Sequence, residues 1–148
     1  MKKQIEIKKI KKSFFTDNSY LVETIDDKDR GYGYVSCLID GYHFAIPLRS
    51  SIKHNHCFRI STPPGSKGSK GLDYTKALII DPKYLGDPFV IDNREYQKIF
   101  RNQTQIVNEF IEYVDNYKKY KNNEQLADEY IGAYIFTTLI NYHAELDI

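Results

Sequence analysis

Patterns typical of β-strands fill the first part of the chain. Apolar and charged residues alternate over residues 4–10, QIEIKKI, as in an edge strand whose lysines oppose pairing with another sheet edge. The β-rich runs YGYVSCLI and YHFAIPL follow and are joined by Asp40 and Gly41, a dipeptide favoured in two-residue hairpin turns. These two runs predict a β-hairpin, and the later runs CFRI and YTKALII predict further strands.

The hydrophobic period changes to that of a helix after residue 91. Asp92 and Glu95 resemble a capping box, with Asp in place of the usual Ser or Thr. Apolar residues then recur at helical spacing up to Tyr117, and residues 122–146 contain a second amphipathic pattern. Strands followed by helices predict an α+β fold, in which two long C-terminal helices pack on a twisted antiparallel sheet.

Composition indicates the size of the fold and the compartment. A chain of 148 residues, 41% apolar and 28% charged, is long enough for a single domain over residues 1–148 with its own core. No stretch approaches the roughly 18 apolar residues of a membrane span, and the basic N-terminus lacks the apolar segment of a signal peptide. Cys37 and Cys57 lie in apolar contexts without a CxxC pair. We therefore expect two small hydrophobic residues in a reduced, cytoplasmic protein.

Charge is distributed unevenly along the chain. Residues 1–76 hold 14 Lys and Arg against 8 Asp and Glu, whereas residues 77–148 hold 7 against 12. The net charge of +1 argues against non-specific binding of polyanions, but the basic first half could attract a phosphate backbone. A set of solvated charged faces would give the same distribution.

A polar segment follows the second strand of the predicted hairpin. Pro47 cannot donate to a strand ladder and indicates a strand end or an edge, and residues 49–56, RSSIKHNH, come directly after Leu48. Cleavage of RNA by its own 2′-hydroxyl needs proton transfer near neutral pH and stabilisation of negative charge on the phosphorane. Histidine suits the proton transfer, whereas arginine, lysine and serine suit the phosphate oxygens. We therefore expect a phosphate-handling segment, with a solvated surface loop as the alternative.

A metal site is a weaker interpretation of the same segment. His54 and His56 would point to opposite sides of an extended backbone, so a zinc site would need ligands from elsewhere in the chain. The tripeptide HNH is not the HNH nuclease motif, whose histidines are spread over a larger metal-binding unit. No metal is therefore expected.

Four segments resemble one family of bacterial toxins. KDRGYGY at 28–34, FAIPLRSSIKHNHCF at 44–58, GLDYTKALII at 71–80 and IDNREYQKI at 91–99 are similar in order and spacing to the type III toxin–antitoxin toxins of the TenpIN/CptIN branch. These toxins are relatives of the ToxN and AbiQ endoribonucleases. The resemblance covers about residues 28–120, and its longest segment is far more specific than a short motif.

The resemblance implies a fold, an activity and a partner. The fold is a strongly twisted antiparallel sheet with flanking helices, similar to the MazF/Kid architecture. The activity is that of a metal-independent endoribonuclease without a cofactor, which leaves a 2′,3′-cyclic phosphate and a 5′-hydroxyl on cellular or phage RNA. The partner is a small structured antitoxin RNA, a pseudoknot that the toxin cuts from a repeat array and that then inhibits the toxin in a closed ribonucleoprotein assembly. Such systems act in the bacterial cytoplasm in antiviral defence, with no DNA or membrane partner.

The same resemblance suggests roles for individual residues. The expected catalytic residues are the hydroxyl, basic and imidazole side chains of Ser50, Lys53, His54, Arg49 and Arg30. In this scheme His54 takes the 2′-hydroxyl proton, Ser50 orients the phosphate, and His56 or Lys53 protonates the leaving oxygen. The expected RNA-binding residues are imidazole, basic and aromatic, namely His56, Arg59, Tyr74, Lys76, Tyr20 and Tyr32.

Two functions of other classes stay open. A non-catalytic RNA-binding or inhibitory module would need the same basic groove, but it would leave no cyclic-phosphate ends on RNA. A metal-dependent DNA nuclease would lose its activity on chelation and would cleave substrates that lack 2′-hydroxyls.

Overall fold

The predicted hairpin lies at the centre of an α+β structure. The computed structural model describes residues 7–24, 33–62, 65, 68–130 and 132–148. Within these residues, seven strands form one antiparallel sheet, and three α-helices flank it. The strands are β1 (Ile7–Ile10), β2 (Tyr34–Ile39), β3 (Tyr42–Ile52), β4 (Cys57–Ser61), β5 (Ser69–Asp73), β6 (Leu78–Ile79) and β7 (Leu85–Pro88). The helices are α1 (Lys12–Asp17), α2 (Asn93–Arg101) and α3 (Gln103–Lys121).

The strand order places the hairpin between two groups of strands. Along the sheet the order is β4-β5-β3-β2-β1-β7, and β6 also pairs with β3. Asp40 and Gly41 both have positive φ, 51° and 83°, as a type I′ turn requires. The hairpin prediction is therefore confirmed, with β2 and β3 paired from Tyr34–Pro47 to Ile39–Tyr42.

The strand β3 changes partner at Pro47 instead of ending there. Up to Pro47 its neighbour is β2, and from Leu48 onward it pairs with β5. The missing N–H of Pro47 thus falls at the crossover between two ladders, where it costs the sheet little. The expected strand exit at residue 49 was wrong, because Arg49–Ile52 still belong to β3 and the chain leaves the strand at Lys53.

Apolar side chains cover both faces of the sheet. Phe44, Ile46 and Leu48 on one face share a buried cluster with Phe110 and Tyr113 of α3. The opposite face is covered by a second cluster of aromatic and aliphatic residues from β1, α1, β2, β3 and the segment around β6, namely Ile10, Phe14, Tyr34, Ala45, Leu78 and Ile80. Burial of each large side chain contributes about 1.5–3 kcal/mol. Packing against α3 therefore stabilises the sheet face that carries Phe44, Ile46 and Leu48.

The helical prediction is right for the first pattern and wrong for the second. The α2 helix begins after Asp92, whose carboxylate caps the N–H of Arg94. The α2 helix ends at Asn102, whose side-chain amide donates to the Lys98 carbonyl, and α3 follows. Over residues 122–146, the described part contains turns and two 3₁₀ segments, at Asp128–Tyr130 and Thr138–Asn141, instead of a long helix.

Local and tertiary bonds explain the missing helix. Gly132 adopts φ +81°, which ends regular helix. Thr137 caps the N–H of Leu139, and Thr138 donates its hydroxyl to the Thr75 carbonyl, so both threonines use their hydroxyls for non-helical contacts. The hydroxyl of Tyr134 donates to the backbone of α3. Of the apolar pattern, Tyr134, Leu139 and Tyr142 are buried, whereas Ile135 is 68% exposed, and the backbone around them is irregular.

No helix in the described part of the chain is long and apolar enough to cross a lipid bilayer.

Candidate active site

A β-bulge exposes two serines at the end of β3. Arg49 pairs with Gly71 of β5, but Ile52 pairs with Ser69, so β3 contains one residue more than its partner strand. Ser51 takes φ +60° at this bulge. Ser50 and Ser51 are therefore exposed next to each other, while Ile52 returns to the core.

Asp73 is the centre of the site. Its side chain is 0% exposed at the end of β5. Nη1 of Arg49 donates to its Oδ2 over 2.7 Å, and Nε2 of His54 lies 3.2 Å from its Oδ1. Thr75 donates twice to Oδ1, from its backbone N–H over 2.9 Å and from its hydroxyl over 2.6 Å. Burial alone would raise the pKa of Asp73, but the bonds from His54, Thr75 and Arg49 outweigh burial and lower this pKa to about 2.

The strand register brings these groups together. Gly71 of β5 pairs with Arg49 on one side and with Arg59 of β4 on the other. Directly paired residues project from the same face of a sheet, and Asp73 lies two positions along β5 from Gly71, so it shares their face. Arg49 and His54 each keep about a third of their side chain exposed. The buried carboxylate thus fixes a guanidinium and an imidazole at the surface.

Both ring nitrogens of His54 are occupied. Its Nδ1 accepts the backbone N–H of His56 over 3.0 Å, and its Nε2 faces Asp73. The lone pair on Nδ1 is therefore in use, and the proton on Nε2 points to the carboxylate. In this arrangement His54 has no nitrogen for a substrate proton. The geometry favours a positioning role for His54 over the expected role of general base.

His56 is the second imidazole of the loop, and it is half-buried. Its ring stacks on His54 with 5.8 Å between centroids and lies 5.5 Å from the ring of Tyr130. In the part of the chain that the structure describes, no hydrogen bond involves its ring nitrogens. Burial lowers the pKa of His56, His54 lowers it further, and Glu129 and Asp73 oppose the decrease. A lowered pKa keeps His56 neutral near pH 7, as a general base must be.

Arg59 holds the segment between β3 and β4 in place. Its Nη2 donates to the His54 carbonyl over 2.9 Å and to Oδ1 of Asn55 over 2.7 Å, and its Nε donates to the Ser69 hydroxyl over 3.2 Å. Arg59 was expected to bind RNA directly, but these contacts use its guanidinium to order the loop. Lys53 is exposed in the same loop, and no ion pair with another described residue involves it.

The other predicted RNA ligands that the structure describes have contacts of their own. Tyr74 lines the same cleft as His56, but it is only 3% exposed and its hydroxyl donates to Glu109, so most of its ring lies in the core. Lys76 is largely buried, and its Nζ donates to the carbonyls of Glu23 and Phe136, which ties two surface segments together. Tyr20 is 73% exposed, and nothing in the structure connects it to Asp73.

Two predicted residues cannot be placed. Arg30 and Tyr32 lie outside the described residues.

The thiols and potential metal ligands offer no second chemistry. Burial raises the pKa of Cys37 to about 11 and also raises that of Cys57, so neither thiol is a ready nucleophile. Among the described residues, no group of three His, Cys, Asp or Glu side chains is arranged to hold a metal ion.

Asp73, the residue on which the site depends, was not predicted from the sequence. A signal was present, because Thr75 follows Asp73 by two positions, the spacing at which an Asp side chain caps its own turn. Such turns are common, however, and nothing local identifies Arg49 and His54 as the other partners.

Comparisons of this chain with protein-family models, with curated proteins and with solved structures gave no match.

Proposed function

We propose that this chain is a metal-independent endoribonuclease that cleaves single-stranded RNA through the 2′-hydroxyl of the substrate. One observation carries the proposal. Buried Asp73 fixes Arg49 and His54, and the exposed Ser50 and Lys53 lie within four residues of Arg49 in the chain. Together with the half-buried His56, these residues supply a fixed guanidinium, an ammonium, a hydroxyl and an imidazole, the groups that phosphoryl transfer to an internal hydroxyl requires.

The reaction uses the side chains of the chain itself. His56 takes the proton of the 2′-hydroxyl, and the bond from O2′ to phosphorus forms as the bond from phosphorus to O5′ breaks. Arg49 and Lys53 neutralise the charge that builds up on the phosphorane oxygens, and Ser50 donates a hydrogen bond to one of them. The Lys53 ammonium donates the proton to O5′. The products are a 2′,3′-cyclic phosphate and a 5′-hydroxyl, and solvent restores both protonation states.

The biological setting follows from the family resemblance of residues 28–120. In this proposal the chain has the MazF/Kid architecture and is the toxin of a type III toxin–antitoxin pair in the bacterial cytoplasm. It cuts its own pseudoknot antitoxin RNA from a repeat array and is inhibited by that RNA in a closed assembly. The basic excess over residues 1–76 supports attraction of an RNA backbone.

Product analysis tests the enzymatic proposal. The purified protein is incubated with its repeat-array RNA in excess EDTA, and the new ends are mapped chemically. We expect cyclic-phosphate and 5′-hydroxyl ends, and no cleavage when the scissile nucleotide carries a 2′-deoxyribose. Binding without cleavage would support the non-catalytic RNA-binding module instead. Loss of cleavage in EDTA would contradict the proposal and favour a metal-dependent nuclease.

Replacement of Lys53 with Ala should lower kcat about a hundred-fold, because the variant lacks a charge that acts mainly in the transition state. KM should change little. Lys119→Ala is the matched control, since Lys119 is an exposed lysine on α3, and its kcat should equal that of the wild type. Single-turnover kinetics separates the two parameters, and an unchanged kcat in Lys53→Ala would exclude Lys53 from the reaction.

A further inference from the structure

A cleft of about 240 Å³ opens beside the proposed catalytic residues. His56 belongs both to this cleft and to the loop that carries Lys53 and His54. Residues of α3 and of the 3₁₀ segment Asp128–Tyr130 also line the cleft. The proposed reaction assigns no ligand to this space, which is large enough for one nucleobase.

Aromatic rings line the cleft. His56 and Tyr130 both line it, with their ring centroids 5.5 Å apart and an interplanar angle of 34°. Outside the cleft, His54 stacks on His56 at 5.8 Å and Tyr134 stacks on Tyr130 at 6.3 Å. Tyr130 contributes its ring from the irregular C-terminal segment. Aromatic faces of this kind are where unstacked bases of single-stranded RNA bind.

Carboxylates also line the cleft. Both oxygens of Glu109 accept hydrogen bonds, from Tyr74 and from Gln105. In the described ranges of the chain, the Glu112 carboxylate has one partner, the Tyr130 hydroxyl, which donates to Oε1. Its Oε2 and a second lone pair of Oε1 are therefore open to a ligand, and Glu129 is exposed at the same cleft. Among the described residues that line the cleft, none is Lys or Arg. The cleft therefore repels phosphate and favours a ligand that presents N–H donors.

We propose that this cleft binds a guanine base next to the scissile phosphate and so sets sequence specificity; the inference rests on the proposed function. Guanine presents two parallel donors, N1–H and the exocyclic amine, which match one carboxylate. Adenine presents an unprotonated N1 at the same edge, and a carboxylate would repel it. Asn55 also lines the cleft, and its amide nitrogen can donate to the guanine O6, since its Oδ1 already accepts from Arg59. A guanine base would thus contact the aromatic rings and form hydrogen bonds with the free carboxylate oxygens and with the Asn55 amide.

The experiment measures binding to oligonucleotides that cannot be cleaved. Fluorescently labelled 2′-O-methyl pentamers UUGUU, UUIUU, UUAUU and UUUUU are titrated by anisotropy at fixed salt. We expect UUGUU to bind at least about ten-fold more tightly than UUAUU or UUUUU. Inosine lacks only the exocyclic amine, so UUIUU should bind with intermediate affinity. In Glu112→Gln the preference for guanine should fall below about two-fold, because the amide offers one acceptor where the carboxylate offers two.

Asp115→Asn is the matched control. Asp115 is an exposed carboxylate on the same helix, but it lines a separate cleft, so this variant should keep the guanine preference of the wild type. Equal binding of the four pentamers by the wild type would overturn the inference, as would a preference that survives in Glu112→Gln. Displacement of UUGUU by arginine amide but not by guanosine would assign the cleft to a cation and would also overturn it.

The outcome for the cleft is separable from the outcome for the enzyme. If UUGUU is preferred but unmodified RNA with guanine is not cleaved, the proposed function fails and the base-binding cleft stands. If RNA is cleaved to cyclic-phosphate ends without a guanine preference, the endoribonuclease stands and the cleft inference fails.

Discussion

Replacement of Asp73 with Asn should lower the rate of RNA cleavage about a hundred-fold and destabilise the fold by about 2–4 kcal/mol. Asp73 does not reach the surface, so its effect on the rate passes through Arg49 and His54, which it holds in place. An amide has one acceptor oxygen where the carboxylate has two. It would therefore place its N–H groups either against the Arg49 donor or against the donors of Thr75 and His54. Urea denaturation and single-turnover cleavage measure the two effects on the same preparation.

The acid stability of the protein gives a separate test of this ion pair. The folded-state pKa of Asp73 is about 2, against an ordinary value of 3.8. A depressed folded-state pKa stabilises the fold above the unfolded pKa, and this contribution disappears as the pH falls from about 4 to 2. The difference corresponds to about 2 kcal/mol. Wild-type protein should therefore lose about 2 kcal/mol more unfolding free energy than Asp73→Asn between pH 6 and pH 2.

The exposed Asp115 supplies the control for both measurements. Asp115→Asn removes the same charge from the surface of α3, where it should change stability by less than about 0.5 kcal/mol and leave cleavage unchanged. Equal acid sensitivity of the wild type and Asp73→Asn would show that the buried carboxylate contributes no stability through its ion pairs. Normal cleavage by Asp73→Asn would show that Arg49 and His54 need no anchor.

The elements that were predicted correctly are those that short-range signals in the sequence determine. Asp40 and Gly41 specify a turn that needs positive φ at both positions, and the structure has it. Asp92 starts α2 through its own side chain. The polar character of residues 49–56 was also visible, because eight consecutive positions contain one apolar residue, Ile52. Each of these signals involves residues close in the chain, where backbone geometry alone decides the outcome.

The contacts that build the site are not local, which is why the sequence did not reveal them. Asp73 is 24 residues from Arg49, and the two meet only because β5 pairs with β3 in one particular register. A shift of that register by one residue would turn Asp73 to the opposite face. The bulge at Ser51 shifts the register by one residue. The glycine that packs against it, Gly68, lies before β5 and not in β3, so the sequence of β3 does not announce the bulge.

Tertiary packing also explains the wrong prediction for residues 122–146. The helical period arises because apolar side chains there must reach the core, and Tyr134 and Leu139 do reach it. The backbone adopts turns instead. Gly132 has a positive φ, Thr137 accepts the N–H of Leu139 at its hydroxyl, and Thr138 donates its hydroxyl to the Thr75 carbonyl. Periodicity predicted which residues are buried better than it predicted their backbone. The cleft beside His56 depends on this irregular segment, because Tyr130 lies in it.

Replacement of His56 with Ala should lower kcat by about 10²- to 10⁴-fold, the range over which general-base catalysis contributes. The wild-type pH–rate profile should rise with pH through an acid limb below the ordinary histidine pKa of 6.5, because burial lowers the pKa of His56 and the base must be unprotonated. That limb should be absent in His56→Ala. By contrast, His54→Asn should reduce the rate but keep the limb, since His54 has both nitrogens occupied and acts through the position of the loop.

Replacement of Glu129 should move the acid limb of the pH–rate profile while the general base His56 stays in place. Glu129 raises the pKa of His56, against the larger effect of burial, so Glu129→Gln should shift the acid limb to lower pH. His43→Ala is the control, because His43 lines a different groove and its loss should leave both rate and profile unchanged. A profile measured from pH 4.5 to 8 distinguishes these variants. If the limb survives in His56→Ala and disappears in His54→Asn, the two histidines have the reverse roles, and the loop must open to release Nδ1 of His54 before catalysis.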